Sequence, residues 1–281
     1  MYVTWFALLV LGTCIFVIFL GRWRFQSLVR AETNALLSQS KSSVGPNQLR
    51  VRRGTLPDPV RRYLRYAITE RAPAIRTAHL KHGGGFRRRP GERWFYIEGE
   101  QYFATAEPGF VWNATIRPVF YLWIAARDLL LSGRGNMLVK LVSTFTIADA
   151  SGVEINQGAS LRWLAENIWF PYGFVGDHIE WGPIDDHSAR ATLQHGDMTV
   201  SAIFHIDNDG KLVSLRGDRY RDIGGGKAVL TPWTGRCSDY REFNGFRVPS
   251  TVEVAWELES GQFSYARFRV TTLEYNVADR S

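Results

Sequence analysis

The sequence predicts a mainly β protein with a few helices (α+β): an N-terminal transmembrane helix, then a curled antiparallel sheet, a half-barrel of about ten or eleven strands packed on helices. Three observations carry this. Tyr2 to Leu20 contains no charged side chain. From about residue 74 onward, alternating and aromatic runs are broken by turn signals at short intervals. In that part of the chain a single stretch, NQGASLRWLAENIWF (156–170), has helical periodicity.

The opening run, at about 1.5 Å per residue, spans about 28 Å of helix, close to a bilayer's hydrocarbon core. Tyr2, Trp5 and Phe6 stand at one end and Trp23 and Phe25 at the other, as interfacial aromatics do. A cleavable signal needs a basic stretch before the run and a small-x-small site after it. Neither is present; Gly21-Arg22-Trp23-Arg24 follows instead. The expectation is a retained anchor over 1–24, with the bilayer as partner through residues 2–20.

Residues 22–71 hold eleven Lys or Arg against Glu32, Asp58 and Glu70, a net of +8, while the whole chain is +7. The high pI therefore belongs to the segment beside the membrane. The remaining 72–281 is near neutral and has no helix-turn-helix or zinc-finger pattern, which argues against a nucleic-acid partner. A basic stretch after a span suits anionic headgroups. By the positive-inside rule it favours a cytoplasmic domain, with a periplasmic or extracytoplasmic one as the alternative. Cys14 lies in the span and Cys237 stands alone, so no intradomain disulfide is expected.

Residues 25–54 read as a basic juxtamembrane linker, polar and Ser-rich in the middle, part helix and part tether. A single β-rich domain is expected over 55–277. It opens on LPDPVRRYLRYAITE (56–70), where Pro57 and Pro59 suit a first turn and Val60, Tyr63, Leu64 and Ile68 form an apolar stripe. The later helix places Leu161, Trp163, Leu164 and Ile168 on one face, with Pro171 as its stop.

Strands follow the turns HGGG (82–85), RPGE (89–92), DNDG (207–210), GGGK (224–227), NG (244–245) and others, a spacing that suits an antiparallel meander. The last hairpin, 246–258 against 263–275, is read with Val254 opposite Phe268 and Glu253 opposite Arg269, on a three-residue loop Ser260–Gln262. The strand RWFYIEGEQYFAT is unusual in carrying aromatics on both faces: Trp94, Tyr96 and Tyr102 on one, Phe95 and Phe103 on the other. Both faces therefore need cover, one from the helices and one from a curled sheet or an apolar ligand.

Candidate chemistry is sparse. Glu98 and Glu100, at i and i+2, form a possible acid–base pair, with pairing to strand arginines as the plainer reading. DNDG starts like a calcium loop, but Lys211 and Asp218 occupy positions that need other ligands, so it reads as a hairpin turn. GGGK lacks the Ser or Thr and the helix of a phosphate loop. The histidines have no zinc spacing, and Cys237 has no activating neighbour. No cofactor and no metal is expected.

The strings LPDPVRRYLRYAI, EGEQYF, PGFVWNA, GRGNMLVKL, LTPW and VPSTVEVAW, in this order over 55–276, resemble a bacterial family of unknown function that shares an N-terminal membrane anchor. The resemblance implies no reaction or catalytic residue. The architecture is also similar to the half-barrel of lipoprotein-carrier proteins, which implies an apolar groove and pulls toward the periplasm.

The first functional expectation is a membrane-anchored binding module for a lipid-like or apolar ligand. Trp94, Tyr96, Tyr102, Trp112, Trp233 and Trp256 would line the concave face, and Glu100 or Arg219 would fix a polar head. The alternatives are a scaffold in a membrane or envelope complex, and a hydrolase-type enzyme using Glu98 and Glu100.

Overall fold

The computed structural model describes residues 2–119 and 121–277. Its first helix, α1, runs over Tyr2–Gln39, well past the end of the apolar run. The N-terminal part is unburied, and it is long and apolar enough to cross a membrane. From Phe25 a second pattern takes over. Phe25, Val29, Thr33 and Leu36 recur every three or four residues and are buried together with Leu37, as one face of a helix requires. Residues 25–39 are thus continuous helix packed on the domain, where the sequence suggested a partly helical tether. A short α2 (Pro46–Arg52) and then α3 (Asp58–Ala67) follow. Val44 is pinned by an antiparallel bridge to Ile75.

One antiparallel sheet of thirteen strands makes up the rest. Its first half is β1 (Thr77–Phe86), β2 (Phe95–Ala104), β3 (Gly109–Val119), β4 (Leu122–Leu131), β5 (Arg134–Leu141) and β6 (Phe145–Ser151). The second is β7 (Ile179–Pro183), β8 (Ser188–His195), β9 (Met198–Ile206), β10 (Leu212–Gly224), β11 (Lys227–Phe243), β12 (Phe246–Leu258) and β13 (Gly261–Tyr275). Each half is a meander. They join in the middle, where β1 pairs with β13, so β6 and β7 are the two outer edges. Short β6 and β7 raise the strand number above the expected ten or eleven, because seven and five residues leave little room for a readable alternation.

Helix α4 (Val153–Glu166) carries the chain from one edge to the other. It touches β4, β5 and β6 on one side and β8, β9 and β10 on the other, so the sheet curls around it. The helix stops at Glu166, before the expected end. There the Asn167 side-chain Nδ2 donates to the Trp163 carbonyl at 2.8 Å, and two 3-10 turns, Asn167–Trp169 and Pro171–Val175, complete the crossing. The inner face of the sheet buries Phe103, Phe110 and Phe204 against Tyr63 of α3, Trp163 of α4, and Phe170 and Phe174. At about 25 cal/mol per Å² of apolar surface, such rings dominate the folding energy.

On the outer face, Tyr102, Ala104, Val111, Ala125, Leu129 and Leu138 form a separate cluster with Phe25, Val29, Leu36 and Leu37. The second cover that the aromatic strand β2 demands is thus supplied by α1. The last hairpin differs from its expected register by two residues: Val254 faces Ala266, and Glu253 faces Arg267. The pairing shifts between Val254 and Ala255, leaving Tyr265 bulged, and Leu258 then pairs with Gly261. One extra residue reverses the facing. A two-residue loop is therefore compatible with an apolar inner face. DNDG is a β9–β10 turn in which the Lys211 amide donates to Asp207 Oδ1 at 2.8 Å. GGGK closes β10–β11 with Gly225 and Gly226 at φ 64° and 72°, values that favour glycine.

Candidate functional site

Strand parity divides the eight residues expected to line one groove into two sets. Trp112, Arg219, Trp233 and Trp256 belong to the inner face, while Trp94, Tyr96, Glu100 and Tyr102 belong to the outer face. They do not form a single site.

The outer set shares the face that α1 covers in part. Trp94 is sandwiched between Arg87, 4.4 Å from its ring, and Arg267, at 4.5 Å. Tyr96 is 52% exposed. Tyr102 is buried in the α1 cluster and stacks on His79 with ring centroids 4.1 Å apart. Glu100 meets His79 Nε2 at 3.2 Å and accepts from Asn113 at 3.4 Å. Glu98 is ion-paired to Arg117 at 2.6 Å. Both carboxylates border an open depression of about 410 Å³, floored by Gly83 and Gly99. They are on the outer side of the sheet and each has a basic partner, the arrangement that the plainer reading anticipated for Glu98. Glu100 has found a histidine instead of an arginine.

The inner set forms two groups. Trp233 Nε1 donates to the Tyr265 hydroxyl at 3.0 Å, Trp256 stacks on Tyr265, and Arg219 stands 5.6 Å from the Trp233 ring. Trp112 Nε1 donates to His82 Nε2 at 2.8 Å. Above Trp112 and Phe110, 4.9 Å from each ring, lies Arg162 of α4. This guanidinium donates to Asp128, Glu166 and the side-chain Oε1 of Gln101, each at 2.8 Å. Burial opposes the Arg162 charge, but Glu166 and Asp128 outweigh it and raise its pKa. Burial pushes Glu166 up against the pull of Arg162. Burial also lowers His82 to about 3, assisted by Arg162, so this ring is neutral. Sequence reasoning missed this knot, because Arg162 and Glu166 at i and i+4 look like a solvent-exposed pair. Cys237, pushed up to about 12 by burial, is a protonated thiol.

A third region has the shape and chemistry of a binding site. Between α2 and α3 is a groove of about 470 Å³, lined by Leu49, Leu56, Leu64 and Ile68 and rimmed by Arg50, Arg53, Arg61 and Arg65, with Glu70 as its acid. The flanking arginines hold the walls. Arg52 donates to the carbonyls of Gly176 and Ile179, tying α2 to the crossing segment. Arg62 donates to the carbonyls of Asp207 and Asp186, tying α3 to the sheet. Arg61 pairs with Asp58 and donates to the Leu56 carbonyl. Arg50, Arg53 and Arg65 are exposed and have no ion pair among the described residues. The sequence offered these arginines only as part of a basic segment. Their gathering around leucines depends on α2, which the polar linker composition concealed.

Guanidinium groups bind phosphate or carboxylate in two-pronged fashion, and an aliphatic floor takes hydrocarbon. The groove is thus chemically suited to an anionic amphiphile. Among the described residues, no three His, Cys, Asp or Glu side chains group closely enough to hold a metal ion.

Among solved structures the chain is similar to a LolA superfamily protein from Nitrosomonas europaea, at 9% identity and a TM-score of 0.41, over 78% of this chain and 93% of that one. No curated protein matches it. A family profile matches residues 51–268, and the chain belongs to that family, DUF6544, a family of unknown function.

Proposed function

We propose that the protein is a membrane-anchored binding module that takes an anionic, lipid-like ligand into the groove between α2 and α3. The observation that carries this is the pairing of an apolar floor with unpartnered arginines in one cleft. The packed inner face supports the same choice, since Trp112 and Trp233 are spent on contacts within the protein. In this reading residues 2–20 remain in the bilayer as the anchor, and the chain from 55 to 277 is a single domain onto which α1 packs. From Leu20 to Gln39 the helix adds about 28 Å along its axis. In this reading Arg22 and Arg24, just after the span, meet the headgroups, and Arg50, Arg53 and Arg65 serve the ligand.

Full-length protein in detergent, titrated with a short-chain phosphatidylglycerol and with the matching phosphatidylcholine, tests the proposal. The anionic lipid is expected to bind and the zwitterionic one to bind far more weakly. An R50E/R65E variant, altered only at exposed positions, should lose at least about tenfold in affinity, since charge-assisted hydrogen bonds contribute about 1.5–3 kcal/mol each. Equal affinity of the variant and the parent protein overturns the assignment.

A further inference from the structure

The bilayer end of the molecule carries a surface the functional reading above does not use. Helix α1 leaves the sheet where its apolar run ends. Gly21 is packed so closely on Thr144 that a Cβ there would overlap the threonine side chain. Arg22 and Phe25 line a cleft with Leu122, Trp123 and Ser143. The β5–β6 turn and the tip of the β3–β4 hairpin are therefore level with the first residues after the span. At about 1.5 Å per residue, Gly21 lies within one residue's rise of Leu20.

That end of the domain is apolar where a soluble edge would be polar. Tyr121 is 81% exposed, Phe145 60% and Ile147 56%. Phe145 and Ile147 belong to β6, an edge of the sheet. Edge strands in soluble proteins are protected by charge or cover. The first three residues of β6, Phe145, Thr146 and Ile147, have neither. Cations stand near the patch: Arg22 on α1, which shares a cleft with Leu122 and Trp123, with Arg24 two residues further along the helix, and Arg93, whose guanidinium donates to the Pro118 carbonyl at 2.8 Å near the end of β3. Exposed aromatic and aliphatic side chains with arginines nearby match the headgroup and acyl boundary of an anionic leaflet.

We infer that this tip is a second membrane contact, with Tyr121, Phe145 and Ile147 seated in the interface of an anionic bilayer beside the anchor. The contact fixes the tilt of α1 and the orientation of the whole domain, because α1 is packed along the sheet and does not swivel on a linker. The inference rests on the part of the proposed function that keeps α1 in the bilayer, and it is independent of the groove and its ligand.

Photo-crosslinking separates the two. A benzophenone amino acid is placed singly at Phe145, at Val10 within the span, and at Asp209 in the β9–β10 turn, in full-length protein in nanodiscs of phosphatidylcholine and phosphatidylglycerol. Lipid adducts are counted by mass spectrometry. The expected result is strong labelling at Val10, several-fold more labelling at Phe145 than at Asp209, and a fall at Phe145 to the Asp209 level when Arg22 and Arg24 are changed to Glu. Labelling at Val10 with Phe145 no higher than Asp209 overturns the tip contact and leaves the anchor standing. Absence of labelling at Val10 overturns the anchor and the tip contact together.

Discussion

The inner and outer faces of the same sheet are covered in opposite ways. The inner face holds large aromatic side chains against α3, α4 and the 3-10 turns, around a charged knot of Arg162, Asp128 and Glu166. The outer face meets α1 through a smaller cluster, with Ala104 and Ala125 leaving room for the helix and one ion pair, Glu32–Arg127 at 3.0 Å. Deep aromatic packing defines the domain. The shallow packing outside attaches α1 to it, and the comparison predicts that damage inside is global and damage outside is local.

Removing Arg162 is the most severe test. Arg162→Ala leaves two carboxylates close together without their cation and opens space over Trp112 and Phe110. A loss of about 3–5 kcal/mol is expected in urea unfolding of the full chain, with every region of the domain affected together. A loss below about 1 kcal/mol would show that the knot tunes the interior without holding it.

Leu36→Ala comes next. Truncating this 2% exposed side chain costs about 2–4 kcal/mol locally by loss of burial and cavity formation. Hydrogen exchange is expected to rise across residues 25–39 while α4 and β9 stay protected. An equal rise on both faces would erase the distinction between them.

The smallest effect at neutral pH is at His82. Burial lowers its pKa from 6.5 to about 3, so the folded chain leaves it unprotonated where the unfolded chain would bind a proton. Its contribution to stability is complete above pH 6.5 and is lost as pH falls from there toward 3, because unfolding takes up the proton. His82→Gln retains an acceptor for Trp112 Nε1 and should flatten that part of the stability profile, with little change at pH 8. An unchanged acid limb would show that other groups dominate it.

Much of the fold was legible because its signals are local. The apolar stripe of α3, the face of α4 and the turns DNDG and GGGK need only neighbouring residues, and the structure realises each. Register was less accessible. The bulge at Tyr265 is set by pairing across two strands, and nothing in FSYARF announces an extra residue. The helical pattern of Phe25, Val29, Thr33 and Leu36 was hidden by polar residues between them and by a threonine on the buried face. The eight-residue groove divided for a related reason: which aromatics share a face depends on strand order and parity across the sheet. The α2/α3 groove was invisible because one of its walls, α2, lies in a segment whose composition resembles a linker.

The central pairing of β1 with β13 joins residues nearly the whole domain apart, with the Arg76 amide donating to Asn276 at 2.8 Å. Among the described elements, α1 is synthesised before all the others and β13 after them. Until β13 is made, the two meanders have no seam between them, and β1 and β12 present bare hydrogen-bonding edges. Long-range strand pairing is slow to form and prone to misassociation while it waits. Loss of only the last strand would therefore cost more than its length suggests, because it would leave the sheet in two halves.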